Sequence, residues 1–282
     1  MKLIDGKVIG QRLREEAADL IRKAGVTPGF AAVLVGDDPA SHLYVRLKEK
    51  ACAEVGIRFE KLVFAAEATE KEVLAGIEDL NQRADIDAIL LQVPLPAQMS
   101  LDRVVGAIDP KKDVDGFNGE NISRYVDGEP GAARPLLISA ILECIASTNV
   151  LLEGKTAVIV GKSDVFTSPL EYALRQEGCK EVTRVAAPED AMDPMFGRTC
   201  RTAHLIVVAI GKLGFITAEH IRAGAIVIDI GTSRGTDGKM HGDVDAASVE
   251  ATAGWLTPVP GGVGPVTVGM LMKRVAEIGT TK

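Results

Sequence analysis

Tyr44 and Lys48 stand four residues apart in D-D-P-A-S-H-L-Y-V-R-L-K-E-K, residues 37–50. On a helix that spacing sets a phenol one turn from an amine. A phenol beside an amine can hold the amine's proton, tune its pKa and relay protons. The pair also fits a plainer arrangement, a tyrosine at a core edge and a lysine in water, because Tyr-x-x-x-Lys is a weak pattern by itself. Gln92 ends the apolar run D-A-I-L-L-Q-V, residues 87–93, just before two prolines. An amide at the end of a buried strand needs a partner, which local backbone or a functional neighbour can supply. Asp113 and Asp115 flank a valine in P-K-K-D-V-D-G-F, residues 110–117. In extended backbone they point the same way, as an acidic turn or as ligand-binding carboxylates.

Two further stretches carry phosphate or flat-ligand chemistry. L-T-P-V-P-G-G-V-G-P-V-T, residues 256–267, holds three glycines and three prolines in twelve residues. It reads as a rigid loop against which a flat ligand can press, or as a plain tight turn before the last helix. G-K-S-D-V-F-T-S-P, residues 161–169, follows an apolar strand and opens a helix, where a dinucleotide phosphate loop belongs.

The elements that position these groups alternate. An amphipathic helix over 8–23 carries Val8, Leu13, Ala17, Leu20 and Ile21 on one side. A buried strand over 30–35 leads into a helix that Asp38 and Pro39 start and Gly56 ends, with Leu43, Leu47, Ala51 and Val55 as its buried stripe. A strand over 58–64, a helix over 69–82 capped by Thr69 and Glu72, and a strand over 87–93 follow. Residues 110–135 turn polar and glycine-rich, and a helix spans 137–147. A second alternation places strands over 156–160, 182–186, 205–210 and 225–230, a short helix over 217–223 and a last helix over 266–278. Strand–helix alternation of this kind predicts an α/β fold with parallel sheets.

Composition excludes several classes. At 282 residues and 46% hydrophobic, the chain suffices for one large domain or two smaller ones. It has no apolar run of membrane-spanning length, about 18 residues, and no secretory leader at M-K-L-I-D-G-K. A net charge of −7 without a basic block argues against nucleic-acid binding. Cys52, Cys144, Cys179 and Cys200 form no C-x-x-C pair, and His42, His204, His220 and His241 show no metal-ligand spacing. The expectation is a cytoplasmic, metal-free protein with reduced thiols.

D-P-A-S-x-x-Y-V-x-x-K, L-L-Q-V-P-L-P, P-K-K-D-V-D-G-F and L-T-P-V-P-G-G-V-G-P-V-T together resemble the methylenetetrahydrofolate dehydrogenase/cyclohydrolase family over nearly the whole chain. The resemblance implies two lobes with a cleft between them. One is an N-terminal α/β catalytic domain over 1–136, joined by the C-terminal helix 264–282. The other is a Rossmann-type NAD(P)-binding domain over 137–263. It implies tetrahydrofolate derivatives as substrates, NADP as cofactor with NAD left open, no metal, and a homodimer through the C-terminal lobe. It assigns proton transfer to Lys48, with Tyr44 and Gln92 around it, and the pterin ring to Asp115. Pro260, Gly261 and Gly262 fall at the junction of folate and nicotinamide. Gly161, Lys162, Ser163, Pro169, Gly231 and Thr232 fall on the cofactor side.

The departures from the family pattern all lie on that cofactor side. Lys162 stands for an arginine and Thr167 for a glycine, V-A-A-P replaces a cysteine and histidine, P-L-L-I-S-A replaces P-C-T-P-x-G, and I-G-T-S-R replaces V-G-I-N-R. A β-carbon at 167 is expected to hinder approach to the pyrophosphate and weaken NADP binding. The leading expectation is therefore the bifunctional enzyme. Beside it stand a cyclohydrolase with weak or lost dehydrogenase activity and a non-catalytic folate- or nucleotide-binding protein.

Overall fold

The computed structural model describes residues 1–281. In chain order it begins with β1 (Lys2–Leu3) and α1 (Gly6–Ala24), followed by β2 (Gly29–Val35), α2 (Pro39–Val55) and β3 (Arg58–Phe64). Next come α3 (Glu70–Gln82), β4 (Ala88–Gln92), α4 (Leu101–Gly106), α5 (Gly119–Val126) and α6 (Leu136–Ala146). The second half contains β5 (Thr156–Gly161), α7 (Asp164–Gln176), β6 (Glu181–Val185), α8 (Pro194–Arg201), β7 (Leu205–Ala209) and β8 (Ile226–Asp229). It closes with the hairpin β9 (Ser233–Arg234) and β10 (Met240–His241), α9 (Ala246–Val249), β11 (Trp255–Leu256) and α10 (Val263–Thr280).

The chain forms two compact units. One comprises Gly10–Leu136 with the segment from Val268 onward, and the other Met1–Ile9 with Leu137–Thr267. The first nine residues join the second unit because β1 adds to its sheet, pairing Lys2 with Trp255 and Leu3 with Leu256.

In the first unit three parallel strands run in the order β3-β2-β4. Central β2 is buried along its whole length, as a strand covered on both faces must be. α2 begins as its sequence dictates: the Asp38 carboxylate accepts from the Ser41 backbone N–H, Pro39 occupies the first turn, and Gly56 ends the helix in left-handed conformation. α3 carries the full capping box between Thr69 and Glu72.

The buried stripe of α2 is not the expected one. Ala51 and Val55 are buried as expected, but Leu43 and Leu47 are each 48% exposed, and Ser41, Val45 and Cys52 are buried in their stead. Ser41, Val45, Lys48, Cys52 and Val55 recur at alternating steps of four and three, which is the true helical period. On α1, likewise, Val8 is exposed and Ile9 takes its place beside Leu13, Ala17 and Ile21. The polar stretch 110–135 contains α5, started by the Asn118 side chain. The short helix expected over 217–223 contracts to a single 3-10 turn, Ala218–His220.

In the second unit six strands run in the order β1-β11-β8-β7-β5-β6, all neighbours parallel. The chain leaves β5 toward β6 on one side and returns to β7 on the other. The carboxyl ends of β5 and β7 therefore flank the switch point at which such sheets take ligands. The residues read as a loop over 161–169 do not form one. Helix α7 starts at Asp164, so only Gly161–Ser163 turn, and Pro169 lies inside the helix. All four cysteines are buried free thiols.

Candidate active site

Lys48 occupies the centre of the buried stripe of α2, with Val45 and Cys52 on either side of it at 1% and 0% exposure. Its amine donates to Gln92 Oε1 at 2.8 Å. The amide completes its own bonding by giving Nε2 to the Val93 carbonyl at 2.8 Å, which fixes the oxygen toward the lysine. Gln92 ends β4 in register with Leu34 of β2, so both strands of the switch point support the pair. Burial holds the Lys48 amine below the usual lysine range, and the nearby Asp115 carboxylate partly opposes that.

Asp115 reaches this neighbourhood because residues 112–114 run beside β4. Ile89 N–H donates to the Lys112 carbonyl at 2.7 Å, and Val114 N–H to the Ile89 carbonyl at 3.3 Å. The two aspartates of this segment part company. The Asp113 carboxylate is fully engaged, accepting from the backbone N–H groups of Gly116 (3.1 Å) and Asn118 (2.8 Å) and from Asn121 Nδ2 (3.0 Å). It is the brace that starts α5. The Asp115 carboxylate accepts no hydrogen bond among the described residues and keeps its lone pairs for a ligand. Burial pushes it up to about 6, with Lys48 opposing, Asp113 adding to the rise and Arg274 opposing again.

Tyr44 is 43% exposed on the adjoining face of α2, beside Leu43 and Leu47. The structure thus joins Lys48 to Gln92, and both to the field of Asp115. It makes no hydrogen bond between Tyr44 and Lys48.

In the second unit the switch point is lined by Gly161, Lys162 and Ser163 after β5, Ile210–Lys212 after β7 and Gly231–Thr232 after β8. The Ser163 hydroxyl does not cap α7. The Phe166 N–H turns back to the Ser163 carbonyl at 3.1 Å, which leaves the Asp164 and Val165 amides of the first turn open to an anion. Two buried carboxylates tie these turns together. Asp243 accepts from the N–H groups of Ile210 (2.7 Å), Gly211 (3.1 Å) and Lys212 (2.7 Å). Asp229 accepts from those of Gly231 (2.9 Å), Asp243 (3.0 Å) and Val244 (2.9 Å). A β-carbon on Gly231 would stand 2.2 Å from Asp243 Cγ, so glycine is required there by the brace itself. The Lys212 amine, over the Phe215 ring, donates to the Pro188 carbonyl at 2.7 Å and joins the turns after β6 and β7. Gly261 adopts a φ of 111° and its carbonyl accepts from Gly6 N–H at 3.0 Å, anchoring the 260–262 loop on the start of α1.

Thr167 is placed otherwise than expected. It lies in the second turn of α7, 4% exposed, with Cγ2 only 2.9 Å from where a β-carbon on Gly161 would be. The side chain fills the space beneath Gly161. Thr167→Gly should therefore lower stability by about 1–2 kcal/mol, from a glycine in a helix and lost packing, without tightening the cofactor. Urea unfolding and calorimetric titration of both proteins check this, and a severalfold gain in affinity would restore the obstruction.

Sequence reasoning missed Asp229, Asp243, Lys212 and Arg274. An acid ending an apolar strand (V-I-D, residues 227–229) and H-G-D-V-D, residues 241–245, were the available signals for the first two.

Fold and site define a two-unit α/β protein, one unit of dinucleotide-binding topology and the other bearing a half-buried lysine and carboxylate beside a buried glutamine. The chain belongs to the tetrahydrofolate dehydrogenase/cyclohydrolase family: the family's catalytic domain matches residues 4–115 and its NAD(P)-binding domain residues 135–282. It is 40% identical over 278 residues to the bifunctional protein FolD of Agathobacter rectalis, covering 98% of each chain. Its structure superposes on the FolD methylenetetrahydrofolate dehydrogenase/cyclohydrolase of Campylobacter jejuni with a TM-score of 0.92 at 33% identity, covering 100% of this chain and 99% of that one. It matches the Trypanosoma brucei enzyme, crystallised with NADP and an inhibitor, with a TM-score of 0.91 at 30% identity over 99% of this chain and 97% of that one. Among the described residues no group of three His, Cys, Asp or Glu side chains is arranged to hold a metal, and no helix is long and apolar enough to cross a membrane.

Proposed function

We propose that this chain oxidises 5,10-methylenetetrahydrofolate to 5,10-methenyltetrahydrofolate with NADP and hydrolyses that product to 10-formyltetrahydrofolate. The observation that carries the reading is the Lys48 amine, held at 2.8 Å by Gln92 Oε1 and kept below the usual lysine range by burial. An amine so placed gives up its proton more readily than a solvated lysine and can then accept one from water. Lys48 takes the proton of the water that adds to the methenyl carbon. The departing ring nitrogen takes the hydroxyl proton as the formyl C=O forms. Gln92 keeps the amine oriented, Tyr44 borders the substrate on the exposed face, and Asp115 binds the amino-pyrimidinone edge of the pterin as a bidentate acceptor.

NADP, when bound, accepts the hydride of the first reaction. The turn Gly161–Ser163 and the uncapped start of α7 fit its phosphates, and Lys162, exposed beside them, suits a 2′-phosphate. Pro169 supports that turn from within α7. Gly231 and Thr232 border the cofactor from the end of β8, and Pro260, Gly261 and Gly262 its nicotinamide end. The reading extends to a cytoplasmic homodimer, and a monomer by light scattering at micromolar concentration would remove the dimer.

Asp115→Ala tests the substrate half. It should raise the folate dissociation constant about tenfold or more, the scale of a charge-assisted hydrogen bond worth roughly 1.5–3 kcal/mol, and leave NADP binding unchanged. Because the carboxyl titrates near about 6 in the fold, the parent should bind folate well above that pH and progressively less well below it. Calorimetric titration across that range checks both. Equal losses for folate and NADP would make Asp115 a support of the fold.

A further inference from the structure

Arg274 lies on α10, far in sequence from everything else at the site. Its guanidinium is half-buried and donates to two backbone carbonyls, Nη1 to Val114 at 3.2 Å and Nη2 to Arg134 at 2.5 Å. Those carbonyls belong to two segments that already run side by side. Leu136 N–H donates to the Asp115 carbonyl at 2.8 Å, and Gly116 packs so closely that a β-carbon on it would stand 3.0 Å from Pro135 Cα. One cation therefore spans the segment carrying Asp115 and the segment bracing it. We propose that Arg274 is the positioning residue of the folate site, holding the Asp115 turn in place by its two carbonyl bonds and setting a positive charge on the turn that carries that carboxylate. This rests on Asp115 as the pterin acceptor.

The charges around Asp115 decide what the loss of Arg274 does. Lys48 faces it from α2, Asp113 from its own segment and Arg274 from α10. Arg274 in turn meets Glu277 on its own helix, the two aspartates, and Arg134 on the bracing segment. Without the guanidinium, Asp115 keeps one anionic neighbour and a single cation, Lys48, which burial already inclines to neutrality. The carboxyl must then hold its proton to higher pH. A residue that only fastened two segments would weaken binding equally at every pH. One that also supplies charge moves the pH at which binding fails.

Arg274→Gln removes the charge and keeps a donor, whereas Arg274→Lys keeps the charge and cannot span both carbonyls. Both are compared with the parent and with Asp115→Asn in the full chain. The unreactive probe 5-formyltetrahydrofolate is titrated calorimetrically from pH 5 to 8.5. Arg274→Gln should move the midpoint for loss of binding upward by about one pH unit, the scale of one nearby charge. Arg274→Lys should keep the parental midpoint but bind the probe severalfold more weakly at every pH. In the Asp115→Asn background, Arg274→Gln should shift no midpoint. An unmoved midpoint in Arg274→Gln, with Asp115→Asn binding weakly, overturns the proposal alone. Parental binding by Asp115→Asn overturns the pterin reading and the proposal with it. Should Arg274→Gln fail to fold, Arg274→Lys decides: parental affinity at all pH values refutes the two-carbonyl clamp.

Discussion

Lys48→Met should lower hydrolysis of 5,10-methenyltetrahydrofolate by about 10²- to 10⁴-fold, the range spanned by a positioned general acid or base. The fold should survive. Methionine is unbranched and nearly as long as the aliphatic part of lysine, and it enters a stripe whose neighbours, Val45 and Cys52, are apolar and buried. Asp115 loses the Lys48 charge that opposes the rise of its carboxyl, and it answers by holding its proton to higher pH, which leaves no unpaired buried charge. Gln92 Oε1 loses a donor, but its Nε2 stays on the Val93 carbonyl, so the amide keeps its place at the end of β4. Hydride transfer should fall far less, since it depends on how the two reactants are placed and needs no proton from the protein. Absorbance assays of both half-reactions on one preparation separate the effects. A parental rate of hydrolysis would remove Lys48 from the chemistry. Equal losses in both halves would make it a residue that binds substrate in ground and transition state alike.

What could be read in advance was mostly local. Asp38, Pro39 and Gly56 bound α2 through contacts within a few residues, and Thr69 with Glu72 do the same for α3, so both helices were legible to the residue. The face of α2 was not. Ser41 and Lys48 lie on its inward side, and a reading that follows apolar residues passes over them and settles on Leu43 and Leu47, which are half exposed. The misplaced stripe and the depressed pKa of Lys48 have one origin: an amine on the inward face interrupts the apolar period, and burial there lowers its pKa. The resemblance to a known family supplied the roles of Lys48, Gln92 and Asp115, which spacing alone left open.

The long-range features could not be read from any window of sequence. β1 and β11 are two residues each and exist because Lys2 meets Trp255 in register. Arg274 makes its bonds to backbone carbonyls 160 and 140 positions away, and a carbonyl carries no trace in a residue's identity. The setting of Thr167 was hidden for a related reason. The family comparison marked it as a departure from glycine, but only the start of α7 at Asp164 shows that it faces Gly161 from inside the protein.

Asp243→Ala should have the largest effect on stability, about 3–5 kcal/mol by urea unfolding, with NADP binding lost in whatever remains folded. The residue is fully buried, and its two oxygens serve three backbone donors, Ile210, Gly211 and Lys212. Alanine leaves those three donors without their acceptor, the Ile210 N–H in a place water does not reach, and the turn after β7 loses its shape. Asparagine should not rescue it, because one end of the amide would turn a donor onto a donor. The pH dependence identifies the cause. Burial pushes Asp229 up to about 7, and its neighbour Asp243 adds to the rise. A carboxyl raised above its unfolded value, 3.8, is better tolerated protonated, so the fold loses stability as pH rises toward and through that value. Removing Asp243 takes away a neighbour that disfavours the Asp229 carboxylate, so the relief is larger at pH 8, above about 7, than at pH 5.5, below it. The loss in Asp243→Ala should therefore be smaller at pH 8 than at pH 5.5. A loss under about 1 kcal/mol at both values, or one that grows with pH, would mean that the three amides find other acceptors and that the two carboxylates do not act on each other.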